Sequence, residues 1–139
     1  MIGQNKLKSW VESCKNSFPH FIVIVGSYGS GKRTMTKYIA EQIGCTYSEV
    51  GIKVDDIREV INTAYVSNED MLYCIADADN MRNEAKNAML KITEEPPKHA
   101  WFVMTVIDDS SLLDTIKSRA QILYMQPYTT AELMEYGDS

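Results

Sequence analysis

The chain has 139 residues, 45% of them hydrophobic, which is the length of one domain and leaves no room for two. Its 14 Lys and Arg against 19 Asp and Glu give a net charge of −5, so this domain alone does not grip nucleic acid by charge. Cys14, Cys45 and Cys74 contain no Cys-x-x-Cys pair, no run approaches the ~18 apolar residues of a membrane span, and Met1–Lys6 lacks a signal peptide's apolar stretch; the expectation is a reduced, cytoplasmic protein without membrane contact.

In chain order, residues 5–17 place Leu7, Trp10, Val11 and Cys14 at helical spacing, and Pro19 ends that segment. Phe21-Ile22-Val23-Ile24-Val25 is a continuous apolar, β-branched run, the pattern of a central strand with both faces covered. A glycine-rich turn follows, then a helix from Thr34 to Ile43 closed by Gly44. Thr46–Val50 predicts a short strand. Asp55 and Asp56 suit a helix start, with Ile57, Val60, Ile61 and Ala64 as its apolar stripe. Met71–Ala76 predicts a buried strand in which Cys74 is a small hydrophobe. Residues 82–94 predict a helix with Ala85, Ala88, Met89 and Ile92 on one side, stopped by Pro96-Pro97. Trp101–Ile107 is a further strand, Ser110 or Ser111 caps a short helix through Lys117, and Ile122–Tyr124 is a last strand. Strands alternating with helices predict an α/β fold: three layers, with a mostly parallel five-stranded sheet flanked by helices.

The sharpest motif is Gly26-Ser27-Tyr28-Gly29-Ser30-Gly31-Lys32-Arg33, a Gly-x-x-x-x-Gly-Lys loop between a predicted strand and a predicted helix. Its glycines let successive backbone N–H groups point at phosphate oxygens, the helix presents its N-terminus, and Lys32 reaches the β- and γ-phosphates. The pattern calls next for a Ser or Thr to ligate Mg²⁺, and Arg33 stands there instead. Thr34 follows about 100° further around the helix, where it does not address the same spot. ATP or ADP binding is the expectation, with magnesium in question.

Downstream segments extend the motif to a family. Asp77-Ala78-Asp79-Asn80-Met81 and Ala85-Lys86-Asn87-Ala88-Met89-Leu90-Lys91-Ile92-Thr93-Glu94-Glu95-Pro96-Pro97 resemble the A-D-x-M and A-x-N-A-L-L-K-x-x-E-E-P-P run of bacterial DNA polymerase III clamp-loader subunits, of the AAA+ P-loop class. Thr115-Ile116-Lys117-Ser118-Arg119 resembles their T-I-x-S-R-C, with Ala120 at the cysteine. Ile2-Gly3-Gln4, His20 and Val54-Asp55-Asp56-Ile57-Arg58 also match in order. The pattern sits nearest the delta-prime branch, with gamma/tau next.

The resemblance implies a P-loop (RecA-like/AAA+) core over residues 1–128, with 129–139 the start of a helical lid or a tail. It implies a ring of different clamp-loader subunits, acting on a sliding clamp and primed DNA. By the same resemblance Ile2 and Gly3 lie near the adenine, Thr105 senses the γ-phosphate, and Arg119 reaches the ATP of a neighbouring subunit. The second strand should end in two acids; here Ala76 takes the first place and Asp77 the second, which with Arg33 implies weak or absent hydrolysis. Asp77 and Asp79 have an alternative reading as caps of the next helix. The family's four-cysteine zinc module is missing, so no zinc is expected. The competing functions are an active gamma-like ATPase motor, a P-loop kinase, and a structural domain that binds no nucleotide.

Overall fold

The computed structural model describes residues 18–27 and 31–125. Their elements are β1 (Phe21–Val25), α1 (Lys32–Ile43), β2 (Thr46–Val50), α2 (Val54–Val66), β3 (Met71–Ile75), α3 (Asn83–Glu94), β4 (Ala100–Val106), α4 (Asp114–Arg119) and β5 (Gln121–Tyr124). The five strands form one sheet in the order β2-β3-β4-β1-β5, and every pairing is parallel. This is the three-layer α/β architecture, with a parallel sheet flanked by helices, that the alternation of strands and helices predicts.

The layers follow from side-chain alternation. All five residues of β1 are buried, because β1 lies between β4 and β5 with helices on both faces. Ile22 and Ile24 point to one side, where Met35, Ile39 and Ala40 of α1 cover them with Leu72, Val103 and Leu123. Phe21, Val23 and Val25 point to the other, against Ile57 and Val60 of α2, Ala85, Met89 and Ile92 of α3, and Ile116 of α4. Ala88 packs half-buried at the edge of that cluster. His20 anchors the start of the sheet: its Nδ1 donates to the Ala100 carbonyl at 2.7 Å and its ring stacks on Trp101 at 4.9 Å. Among the described residues no helix is long and apolar enough to cross a membrane.

Three local expectations are corrected. The expected helix from Ser110 or Ser111 through Lys117 is instead a 3-10 turn at Asp109–Ser111 and a separate helix, α4. An Asp108 carboxylate oxygen accepts from Ser110 N at 2.9 Å, and the chain then extends through Leu112 and Leu113, which lets Leu112 bury before the chain turns helical again. β3 stops at Ile75, leaving Ala76 outside the strand. α1 begins at Lys32, two residues earlier than its periodicity indicates. The expected first helix at 5–17 lies outside the described residues, as does everything after Met125.

Candidate functional site

Parallel sheets of this kind bind ligands beyond the carboxyl ends of their strands. β1, β3 and β4 bring Gly26, Ala76-Asp77 and Thr105 to that edge. The turn after β1 is pinned by Gly26 N donating to the Val106 carbonyl at 3.0 Å. Gly31 precedes α1 with φ 89° and ψ 26°, a left-handed conformation that favours glycine, and this is what allows the chain to enter the helix directly at Lys32. Lys32 Nζ donates to the carbonyls of Gly26 at 2.7 Å and Ser27 at 3.0 Å, so the ammonium lies across the mouth of the turn. Partial burial lowers its pKa, while the carboxylates of Asp77 and Asp79 act in the opposite direction. Lys32, Asp77 and Asp79, which are far apart in sequence, are therefore electrostatic neighbours. Ile2, Gly3, Tyr28, Gly29 and Ser30 lie outside the described residues.

Asp77 has φ 57° and ψ 43°, the only non-glycine at positive φ among the described residues. Its N–H donates to Thr105 Oγ1 at 3.1 Å, and Thr105 is itself buried one residue before the end of β4. The two residues assigned to one site by resemblance are thus in direct contact. Strained backbone of this sort is found where surrounding structure fixes a functional residue. The Asp77 side chain makes no cap bond to the 3-10 turn that follows it at Ala78–Asn80. Asp79 does cap, but across the sheet: its two oxygens each accept from Ile107 N at 3.0 Å, and Oδ2 also takes Asp108 N at 3.3 Å. Those N–H groups leave the end of β4 without a strand partner, and Asp79 satisfies them.

Arg33 and Thr34 are exposed on the first turn of α1. Arg33 Nε lies 3.3 Å from Glu49 Oε1 on β2, and the same oxygen accepts from Tyr47 Oη at 3.1 Å. The hydroxyl that turns inward is that of Thr36, which donates to the Lys32 carbonyl at 2.8 Å. A cleft of about 400 Å³ is lined by Arg33, Glu49, Ala76, Asp77 and Asn80, among others. A neighbouring cavity of about 440 Å³, around Lys53, Asp55, Arg82 and Glu84, contains none of Lys32, Asp77, Thr105 or Arg119. Glu49 and Asn80 had no sequence motif to mark them; the Tyr47-x-Glu49 spacing on a strand, which puts both on one face, is the signal that was there to read.

Magnesium takes oxygen ligands in a near-octahedral shell at about 2.0–2.1 Å. The position that the P-loop pattern assigns to a magnesium-ligating hydroxyl carries a guanidinium, and the position that the resemblance assigns to a metal-holding acid carries a methyl group, so neither of these two positions fits the ion. Arg119 ends α4, does not line the cleft, and its Nη1 lies 3.0 Å from Glu94 Oε1 at the end of α3.

The family described as DNA polymerase III, delta subunit, matches residues 47–129. DNA polymerase III subunit gamma of Buchnera aphidicola is 26% identical over 86% of this chain and 42% of its own length. DNA polymerase III subunit delta-prime of Bacillus subtilis is 36% identical over 54% of this chain and 23% of its own. Among solved structures, a DNA polymerase III gamma subunit-related protein from Thermotoga maritima superposes with a TM-score of 0.76 at 26% identity, over 95% of this chain and 48% of that one. The chain therefore spans less than half the length of each of these relatives.

Proposed function

The chain belongs to the DNA polymerase III delta-subunit family, and from that premise we propose that it works as a delta-prime-like clamp-loader subunit. In this reading it holds ATP or ADP at a partly degenerate P-loop and lends Arg119 to the nucleotide of a neighbouring subunit. The observation that carries the reading is the strand-end site: Lys32 feels the carboxylates of Asp77 and Asp79, and the cleft beside it is lined by Arg33 and Ala76 at the positions where metal ligands are needed for hydrolysis. A nucleotide is held but not efficiently turned over. Gly26, Ser27 and the residues through Gly31 cradle the phosphates, Lys32 takes the β- and γ-oxygens, and Thr105 fixes Asp77. Ile2 and Gly3 serve the adenine.

Arg119 suits a role in trans. Its side chain is 42% exposed, and its pair with the still more exposed Glu94 is of a kind worth about 0–1 kcal/mol. A phosphate from an adjoining subunit displaces Glu94 at little cost and gains a bidentate, charge-assisted contact. The partners in this proposal are the other subunits of a hetero-oligomeric ring in the cytoplasm, and through that ring the sliding clamp and primed DNA.

One observation favours a second reading, an active gamma-like motor: the gamma relative matches 86% of the chain and the delta-prime relative 54%. That reading requires Asp77 to do the work of two acids. Both are tested in a reconstituted loader containing this chain. Arg119→Ala should slow ATP turnover at the adjacent site by on the order of 10³, the usual worth of an arginine finger, and unchanged turnover overturns the trans role. Hydrolysis at this chain's own site, abolished by Lys32→Ala, would establish the motor reading instead.

A further inference from the structure

Arg33 lies in the cleft with Ala76, Asp77 and Glu49, at the position where the P-loop pattern places a magnesium-binding hydroxyl. We propose that the Arg33 guanidinium takes the place of the divalent cation, so that this chain holds the phosphates of a nucleoside di- or triphosphate without magnesium. The inference rests on the nucleotide-binding reading above and adds the source of the charge that the phosphates need.

Three features of the cleft support it. The first is charge. Lys32 and Arg33 begin α1, no acidic residue lies in that helix's first turn, and the helix N-terminus adds its own partial positive charge. Two adjacent side-chain cations match the formal charge of a magnesium ion and offset the Glu49 and Asp77 carboxylates that share the cleft lining.

The second is orientation. Glu49 Oε1 accepts from Tyr47 Oη and pairs with Arg33 at Nε; both side chains are about half-exposed, so the pair turns the guanidinium toward β2 yet gives way to a phosphate at little cost. The pair engages Nε, and the two Nη groups carry four further N–H donors in a plane suited to phosphate oxygens. The third is the opposite wall of the cleft. Ala76 puts a methyl group where a metal-holding acid is expected, so that wall offers no ligand there.

The test titrates a fluorescent ATP analogue into the full chain in EDTA and in Mg²⁺, with thermal unfolding of each ligand-free variant as the folding control. The wild-type dissociation constant in EDTA should lie within about threefold of its value in Mg²⁺, or be tighter. Arg33→Thr should weaken binding in EDTA about tenfold or more, as loss of a charge-assisted phosphate contact does, and Arg33→Lys should recover part of it. Arg33→Thr combined with Ala76→Asp should make binding depend on Mg²⁺. Wild-type binding that tightens tenfold or more in Mg²⁺ overturns the inference, as does Arg33→Thr binding like wild type in EDTA. No saturable wild-type binding in either buffer, or binding indifferent to Lys32→Ala, overturns the nucleotide reading itself, an outcome distinct from the failure of Arg33 alone.

Discussion

Cys45 and Asp77 show how single positions are set by what surrounds them. At Asp77 the left-handed backbone is held by the bond from its N–H to Thr105, so the acid's direction is fixed by β4 rather than by its own strand. At Cys45 burial is the main cause that pushes the thiol up to about 11 from an ordinary 9.0, with the Asp70 carboxylate adding to it; a bond to the residue's own backbone N–H acts the other way. Its Sγ donates to the Ala40 carbonyl at 3.6 Å. A thiol whose pKa is raised in the folded state contributes stability that is present below about pH 9 and lost as the pH climbs to about 11. The same shift suppresses reactivity, since only the thiolate attacks. The rate of Cys45 alkylation by iodoacetamide, followed by peptide mass spectrometry, should rise about tenfold per pH unit between 8 and 10 and level off only near 11. A plateau by pH 9 would show that the thiol is not shifted.

Among the elements, α1 begins with two cations, Lys32 and Arg33, and has a clean stop. Gly44 ends it at φ 85° and ψ 27°, with its N–H on the Ala40 carbonyl at 2.9 Å. A Cβ built at Gly44 meets nothing within 4 Å, so Gly44→Ala costs only the left-handed conformation, about 1–2 kcal/mol, read as a lower urea midpoint at unchanged slope. A neutral or stabilising result would mean that the helix ends another way in solution. Gly44 was readable because a glycine after a periodic stretch has one common structural use. Phe21–Val25 coincides with β1 because its apolar run is unbroken, and Thr46–Val50 coincides with β2 because Gly44 and Gly51 bracket it. The expected Ser110–Lys117 helix failed for the opposite reason. Its serines are good caps anywhere, and the decisive contact is Asp108 holding Ser110, followed by an extended stretch that buries Leu112.

The site was legible to the extent that it lies in contiguous motif, at Gly26–Arg33. The Lys32–Asp77–Asp79 grouping and the Asp77–Thr105 bond depend on the parallel register that sets β3 and β4 side by side; resemblance put Asp77 and Thr105 in one site but foresaw neither their bond nor the place of Asp79 near Lys32. Glu49 was missed because its ionic partner, Arg33, lies on α1, and the Tyr47-x-Glu49 spacing by itself names only the shared face of β2.

At the scale of the whole molecule, the sheet's interior and the site share the same strands. Phe102 is fully buried at the centre of β4, opposite Phe21 on one side and Tyr73 on the other, and stacks on Tyr73 at 5.4 Å. The strands it joins are those that deliver Gly26, Asp77 and Thr105 to the carboxyl edge. Phe102→Ala removes a ring that no neighbour can replace and should cost about 3–5 kcal/mol, a large share of the ~5–15 kcal/mol that keeps a domain folded. Urea unfolding should show that loss directly, and a decrease below about 1 kcal/mol would mean that the core collapses to fill the space. Nucleotide binds only the folded chain in the proposed function, so at about 100 times its dissociation constant it should return about 2.7 kcal/mol to wild type and variant alike. The parallel shift separates a weakened core from a damaged site: a variant that folds but gains nothing from nucleotide would show that the packing around Phe102 also sets the geometry at the strand ends.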